Sequence, residues 1–381
     1  MLGLSANNRH SGVIHILHAA LGRAFFLWNS APHEALFPDW GKPGQPGDGL
    51  ANYPTDATRD VLPIPCHSHN DYWRRVPLFD GLHAGCTGTE ADVWLFDEEL
   101  YVGHNVASLT KNRTFQNLYV NPLRDLLDRM NPKSEFGHVS GHGVFDVDPG
   151  QTLVLLVDFK TDGAETWPYV LKQLEPLREK DYLSYYEDGK LHRRAVTVVG
   201  TGNTPFDRVQ HSEPRREIFF DAPLAKMWEQ PPNPTRPSDP MHVRDNELSY
   251  GKAMAVDSNA DGGDYQGGQG STGLPNLTSE EAMRLFNTTN SYYASTSFSQ
   301  SIGFVWRGHL SPRQMELLRG QIRGAKRLGL KARYWDTPSW PVALRNHIWH
   351  VLVKEGADVL NVDDLHAASV GQWNAGLHPW W

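Results

Sequence analysis

Residues 64–105 read IPCHSHNDYWRRVPLFDGLHAGCTGTEADVWLFDEELYVGHN. Two β-rich runs frame a short helix here: VLPIPC at 61–66 leads in, Leu78 to His83 follows Pro77, and TGTEADVWL fills 87–95. Polar side chains gather where these predicted strands end, which in an α/β barrel is the face that carries the site. The same rhythm continues with TLVLLVDF (152–159), AVTVVG (195–200), REIFF (216–220), KAMAVD (252–257), KARYWD (331–336) and ADVLNV (357–362). Helical patterns separate several of them, at Pro122 to Met130, Glu165 to Glu179, Ser311 to Leu328 and Pro341 to Lys354. The third is the clearest, with Ser311 as N-cap, Pro312 at the first helical position and Gly329 past the end. Eight strands alternating with helices is the count of a (β/α)8 TIM barrel, although a doubly wound sheet shares the alternation.

The expected fold is therefore α/β: a single-domain barrel over residues 59–381, with an extension over residues 1–58 that carries a Pro/Gly-rich stretch from Pro43 to Gly49. Residues 131–150, 229–250 and 258–279 are rich in Pro, Gly, Asp and Asn and read as long loops, which in a compact domain often act as lids. The net charge of −8 argues against a nucleic-acid partner. No run of about 20 apolar residues exists to span a membrane, and Val13 to Leu27 reads as an amphipathic helix. Cys66 and Cys86 are too few for a disulfide scaffold, which leaves either two buried thiols or one bridge. Sequons at Asn112, Asn276 and Asn287 tilt the expected route slightly towards secretion.

Glu90 and Asp92 stand two apart in a predicted strand and so face the same side. Burying two like charges is costly without a cation, and hard oxygen ligands suit Mg2+ or Ca2+. Asp158, closing the apolar run LVLLVD, supplies a third carboxylate, and Lys160 points the same way to meet a phosphate oxygen. His67 and His69 follow the first strand and His104 follows the acidic pair. Imidazoles titrate near working pH, so one can deprotonate a nucleophile while another protonates a leaving alkoxide. Arg74 and Arg75 could fork onto a phosphate or stand as solvated charges.

His67-Ser-His-Asn-Asp-Tyr72, Glu90-Ala-Asp-Val93, Val102-Gly-His104, Asp158-Phe-Lys160, residues 333–338 (RYWDTP) and residues 356–365 (GADVLNVDDL) follow one another in order. Together they resemble the altered inheritance of mitochondria protein 6 family, within the phospholipase C-like phosphodiesterases that include glycerophosphodiester phosphodiesterases and spider-toxin sphingomyelinase D. The resemblance implies a metal-dependent phosphoric diester hydrolase acting on a glycerophosphodiester or phospholipid. It implies Glu90, Asp92 and Asp158 as metal ligands, His67 and His104 as the catalytic pair, and Asn70, Lys160 and Trp335 as substrate contacts. The usual His-Arg-Gly opening is replaced by His67-Ser68-His69, so the first catalytic histidine is His67 or His69; the three-residue step to Asn70 favours His67.

Two other readings compete. His67-x-His69 also opens barrel hydrolases that hold Zn2+, which would require histidines after middle strands. A barrel that binds a phosphorylated ligand without turnover would have the same pocket. Asp363 and Asp364 end the last strand and could touch the site or cap the next helix, with capping favoured. Asp257 to Asp264 reads as a loop without EF-hand spacing.

Overall fold

The computed structural model describes residue 44 and residues 57–212, 214–231 and 277–371. Met1–Asp56 and Ala57–Trp381 are two compact units, and of the first only Gly44 is described. The predicted strand at 252–257, the helix at 13–27 and the loop from Asp257 to Asp264 lie outside the described residues.

Eight parallel strands close into a barrel: β1 (Ile64–Ser68), β2 (Cys86–Phe96), β3 (Leu153–Phe159), β4 (Val196–Gly202), β5 (Ile218–Pro223), β6 (Ser291–Ser297), β7 (Lys331–Trp335) and β8 (Val359–Val362). Closure is made by β1, which pairs with both β2 and β8: His67 stands level with Gly88 on one side and Asn361 on the other. A short antiparallel strand, Glu99–Val102, folds back on the end of β2. The helices Asn121–Met130, Gly163–Gln173, Pro312–Arg327 and Val342–Glu355 match the sequence patterns, with Ser311 capping its helix through a reciprocal bond with Gln314. The predicted helix 165–179 is two pieces, because Pro176 opens a new short helix at Glu175–Arg178.

Two differences from the sequence reading matter. The sixth barrel strand is SYYASTS at 291–297, whose small hydroxyl residues hide the β-rich pattern. And β1 runs to Ser68, so His67 is inside the strand and His69 is the first residue beyond it. The segment 131–150 lies between a helix and the next strand, hence at the N-terminal end of the barrel, away from the loops that follow strands. It holds a small hairpin (Lys133–Ser134 with Gly137–His138) and is not a lid over the site.

Side chains alternate along each strand, so the interior is layered. Val154, Leu156, Val199, Tyr293 and Val359 form one apolar cluster of their own, separate from the larger core between barrel and helices. The next inward position on β3 after Val154 and Leu156 is Asp158, which lies level with Asp92 of β2. The interior thus turns from apolar to carboxylate towards the C-terminal end.

Cys66 and Cys86 form a disulfide between β1 and the start of β2, both buried. It closes a loop with a sequence separation of 20. A loop of that size restricts the unfolded chain enough for about 3 kcal/mol of stability. Urea unfolding of the Cys66→Ser, Cys86→Ser double variant should show a loss of that order; an unchanged midpoint would mean the bond contributes nothing.

Candidate active site

The first fixed element is the turn after β1. Asn70 adopts the left-handed conformation (φ 48°), which Asn tolerates, and its backbone N–H donates to Glu90 Oε2 at 2.9 Å. Asp71, fully buried, accepts from Ser68 Oγ at 2.6 Å and from the Leu78 backbone N–H, and so ties the turn to the following helix. Arg74, for which the sequence left a phosphate fork or a solvated charge open, is a seam residue. It donates to Ser68 Oγ, to the carbonyls of His69 and Val362 at 3.2 and 3.1 Å, and to the carbonyl of Asp363, stitching β1 to β8. Arg75 is exposed.

Glu90, Asp92 and Asp158 come together: each offers an oxygen lying within 4.8 Å of the others, and all three are buried. Lys160 Nζ donates to Asp158 Oδ2 at 2.7 Å and lies 3.1 Å from Asp92 Oδ2. The second oxygens, Asp92 Oδ1 and Asp158 Oδ1, are buried without a hydrogen-bond partner. Burial pushes the Asp92 carboxyl well above the usual carboxylate range, with Lys160 opposing and Asp158 and Glu90 reinforcing. Burial likewise raises Asp158, again against Lys160. Burial opposes the charge on Lys160, but Asp158 and Asp92 outweigh it and raise its pKa. Orphaned carboxylate oxygens in an all-oxygen, net-negative cluster fit a hard divalent cation such as Mg2+ or Ca2+. Among the described residues this trio is the one group of three or more such side chains that could hold a metal, and it contains no histidine. The zinc reading of His67-x-His69 therefore gains no support.

Two histidines stand at the Glu90 end of the trio, His67 and His69, each with Nε2 3.9 Å from Glu90 Oε2, and one, His104, at the Asp92 end. His69 Nδ1 bonds to Asp363 Oδ1 at 2.7 Å. Burial lowers the His69 pKa, but Glu90 and Asp363 outweigh it and the net shift is upward. His104 Nδ1 lies 3.8 Å from Asp92 Oδ2, and Trp73 covers its ring at 4.9 Å. The Tyr72 hydroxyl, buried between them, donates to Asp92 Oδ2 (2.6 Å) or to Asn70 Oδ1 and lies 3.2 Å from His104 Nδ1. Trp335 is half-buried at the end of β7, level with Ser297.

His67 is different. It is 0% exposed, and both ring nitrogens lack hydrogen-bond partners. Burial, then the charges of Arg333 and His69, push its pKa well below the ordinary value, so it is a neutral ring inside the barrel. Gly88 is required beside it, since a Cβ there would stand 2.4 Å from His67 Nδ1.

Three contributors were not assigned to the site by the sequence reading, which favoured helix capping for Asp363. Asp363 reaches His69, while Asp364 alone caps the helix Leu365–Val370 through the Ala367 N–H at 2.9 Å. Tyr72 is part of the polar network. Arg333, inside the barrel, donates to Ser295 Oγ and Asn361 Oδ1 at 3.0 and 3.1 Å and lies 4.0 Å from Asp221. A run such as KARYW gives no sign that its arginine points inward.

The comparisons point to a phosphodiesterase-type barrel. Residues 55–221 match the family model of the AIM6-like phosphodiesterase domain. The chain is 39% identical over 332 residues to altered inheritance of mitochondria protein 6 homolog of Arthroderma benhamiae, covering 84% of this chain and 87% of that protein. It is 34% identical over 319 residues to altered inheritance of mitochondria protein 6 of Eremothecium gossypii, and 32% over 327 residues to that of Saccharomyces cerevisiae. These cover 82% of this chain in each case and 70% and 71% of the relatives. The chain belongs to the altered inheritance of mitochondria protein 6 family. No solved structure matches it. The relatives' names refer to mitochondrial inheritance and lend no support to the secretory route, and no helix among the described residues is long and apolar enough to cross a membrane.

Two tests follow from this geometry. A Cβ at Gly202 would lie 1.9 Å from Asp158 Oδ1, and its φ is +61°. Gly202→Ala should therefore destabilise by roughly 1–3 kcal/mol or more and displace Asp158; wild-type thermal stability in the variant would contradict the placement. Burial raises Asp221 to about 6, with Arg333, Ser295 and Thr201 opposing. The folded state then holds a proton that the unfolded state has lost between the unfolded and folded pKa values. Its contribution makes stability fall as pH rises from about 4 to about 6 and level off above, by at most about 3 kcal/mol. Asp221→Asn should remove that part of the slope in pH-dependent urea unfolding; an identical slope would show an ordinary pKa.

Proposed function

We propose that this chain is a divalent-metal-dependent phosphoric diester hydrolase acting on a glycerophosphodiester or phospholipid. The observation that carries the reading is the placement of imidazoles at both ends of a buried three-carboxylate cluster, His67 and His69 beside Glu90 and His104 beside Asp92, at the barrel end where strands feed their loops. Mg2+ or Ca2+ held by Glu90, Asp92 and Asp158 would supply Lewis-acid neutralisation of charge on the phosphoryl group.

This chain's own residues do the rest. His69 and His104 share the acid and base duties, one taking the proton of the attacking water or substrate hydroxyl, the other giving a proton to the leaving alkoxide. His69 is preferred over His67 because it is partly exposed and Asp363 orients its ring, whereas His67 is fully buried in the barrel. Tyr72 holds His104 and Asp92 in register, and Lys160 adds positive charge beside the phosphoryl oxygens. Asn70 and Trp335 stand at strand ends where a head group would lie.

The test is release of choline or another head group from glycerophosphodiesters and lysolipids, with Mg2+, with Ca2+ and with chelator. Turnover should require metal. His69→Ala and His104→Ala should each lose roughly 10²–10⁴ in rate with thermal stability preserved. If His67→Ala abolishes turnover in a stable protein while His69→Ala does not, the assignment is reversed. If no phosphodiester turns over while a phosphorylated ligand raises Tm, the protein is a binding barrel.

A further inference from the structure

The loops that follow barrel strands carry a set of aromatic side chains that the site does not use. After β6, Phe304 is 80% and Trp306 68% exposed; after β7, Trp340 is 79% exposed. Phe304 and Trp306 lie between the short helix Phe298–Ser301 that follows β6 and the long helix that starts at Pro312, and Trp340 lies between β7 and the helix that starts at Val342, so they stand on the barrel end that holds the carboxylate trio. The two loops follow neighbouring strands, since β6 and β7 pair, and His309 of the first meets His347, in the helix that follows the second, edge-to-face at 6.3 Å.

These side chains are held outwards by an ordered scaffold. Trp306 and His309 form an antiparallel bridge, closed by the His309 N–H donating to the Trp306 carbonyl at 3.0 Å. Gln314 Nε2 donates to the carbonyls of Ile302 and Phe304 at 3.0 and 3.1 Å. The Arg307 guanidinium lies over the Trp306 ring at 5.7 Å. Large aromatics fixed in water on one rim cost free energy unless something covers them. Tryptophan with an adjacent cation suits one environment in particular, the interface of a bilayer, where the ring sits at headgroup depth and the cation meets lipid phosphates.

We propose that this rim, centred on Phe304, Trp306 and Trp340 with Arg307 beside them, docks the protein on the surface of an anionic phospholipid bilayer and faces the pocket to the lipid. The choice of a lipid surface rests on the function proposed above. A second copy of the chain fits less well. A stable dimer needs about 800 Å² per partner, whereas these are separate projections, and a protein pressed onto them would cover the pocket. A bilayer brings phosphodiesters to it.

The experiment is vesicle flotation of the full chain with phosphatidylcholine vesicles, with and without phosphatidylserine, in chelator so that no turnover intervenes. In parallel, turnover of a soluble phosphodiester, bis-p-nitrophenyl phosphate, is measured with metal. Wild-type protein should float with the vesicles, more strongly with phosphatidylserine. Trp306→Ala/Trp340→Ala should weaken partitioning roughly tenfold or more and leave soluble turnover within twofold. Arg307→Glu, which keeps the aromatics, should weaken binding to the phosphatidylserine vesicles only. Failure of the wild type to bind either vesicle, or equal binding by the double variant, overturns the proposal. So does a self-association that the double variant abolishes without any vesicle binding. Vesicle binding without soluble turnover sinks the enzymatic reading and leaves the docking surface standing.

Discussion

Glu90 and Asp92 on one strand and Asp158 on the next put three carboxylates inside a closed barrel, with oxygens within 4.8 Å of one another. Like charges at that spacing, out of water, demand a counter-charge. The architecture around them answers that demand. Lys160 reaches back from the end of β3 to Asp158 and Asp92, the Asn70 backbone donates to Glu90, and the Tyr72 hydroxyl meets Asp92. One lysine against three acids still leaves a negative cluster with orphaned oxygens. That shortfall is the physical argument for a cation, and the histidines, the turn after β1 and the aspartate after β8 are arranged around it.

The turn after β1 is where local conformation sets function. Extending the strand to Ser68 seals His67 into the interior and leaves His69 at the mouth, where Asp363 meets it from β8. Arg74 locks that juncture by bonding the backbone of both strands. The barrel's closure seam and the histidine's orientation therefore depend on the same side chain. A change at Arg74 would reach His69 without touching substrate.

Much of this was legible in the chain. The period-two spacing of Glu90 and Asp92 places both on one face whatever the fold, and the apolar run ending in Asp158 reads as a buried strand with a charged tip. The ordered motifs then gave the barrel. What escaped has physical causes. A strand boundary two residues further on puts His67 inside the strand and His69 just beyond it, and the boundary is set by pairing with Gly88 and Asn361, far away in sequence. The strand 291–297 carries three serines among its seven residues, and these mask its two tyrosines and threonine. Asp363 and Arg333 act across the barrel, and local pattern cannot report a partner that lies 294 residues away, as His69 does from Asp363.

The central claim is that the carboxylate trio is built to hold a divalent ion. It is tested most directly by anomalous diffraction from crystals soaked in Mn2+. The account predicts one strong anomalous peak within coordinating distance of Glu90, Asp92 and Asp158, lost in Asp92→Asn. No peak at the trio under millimolar Mn2+, or a peak elsewhere while Lys160 keeps both aspartates, would contradict it.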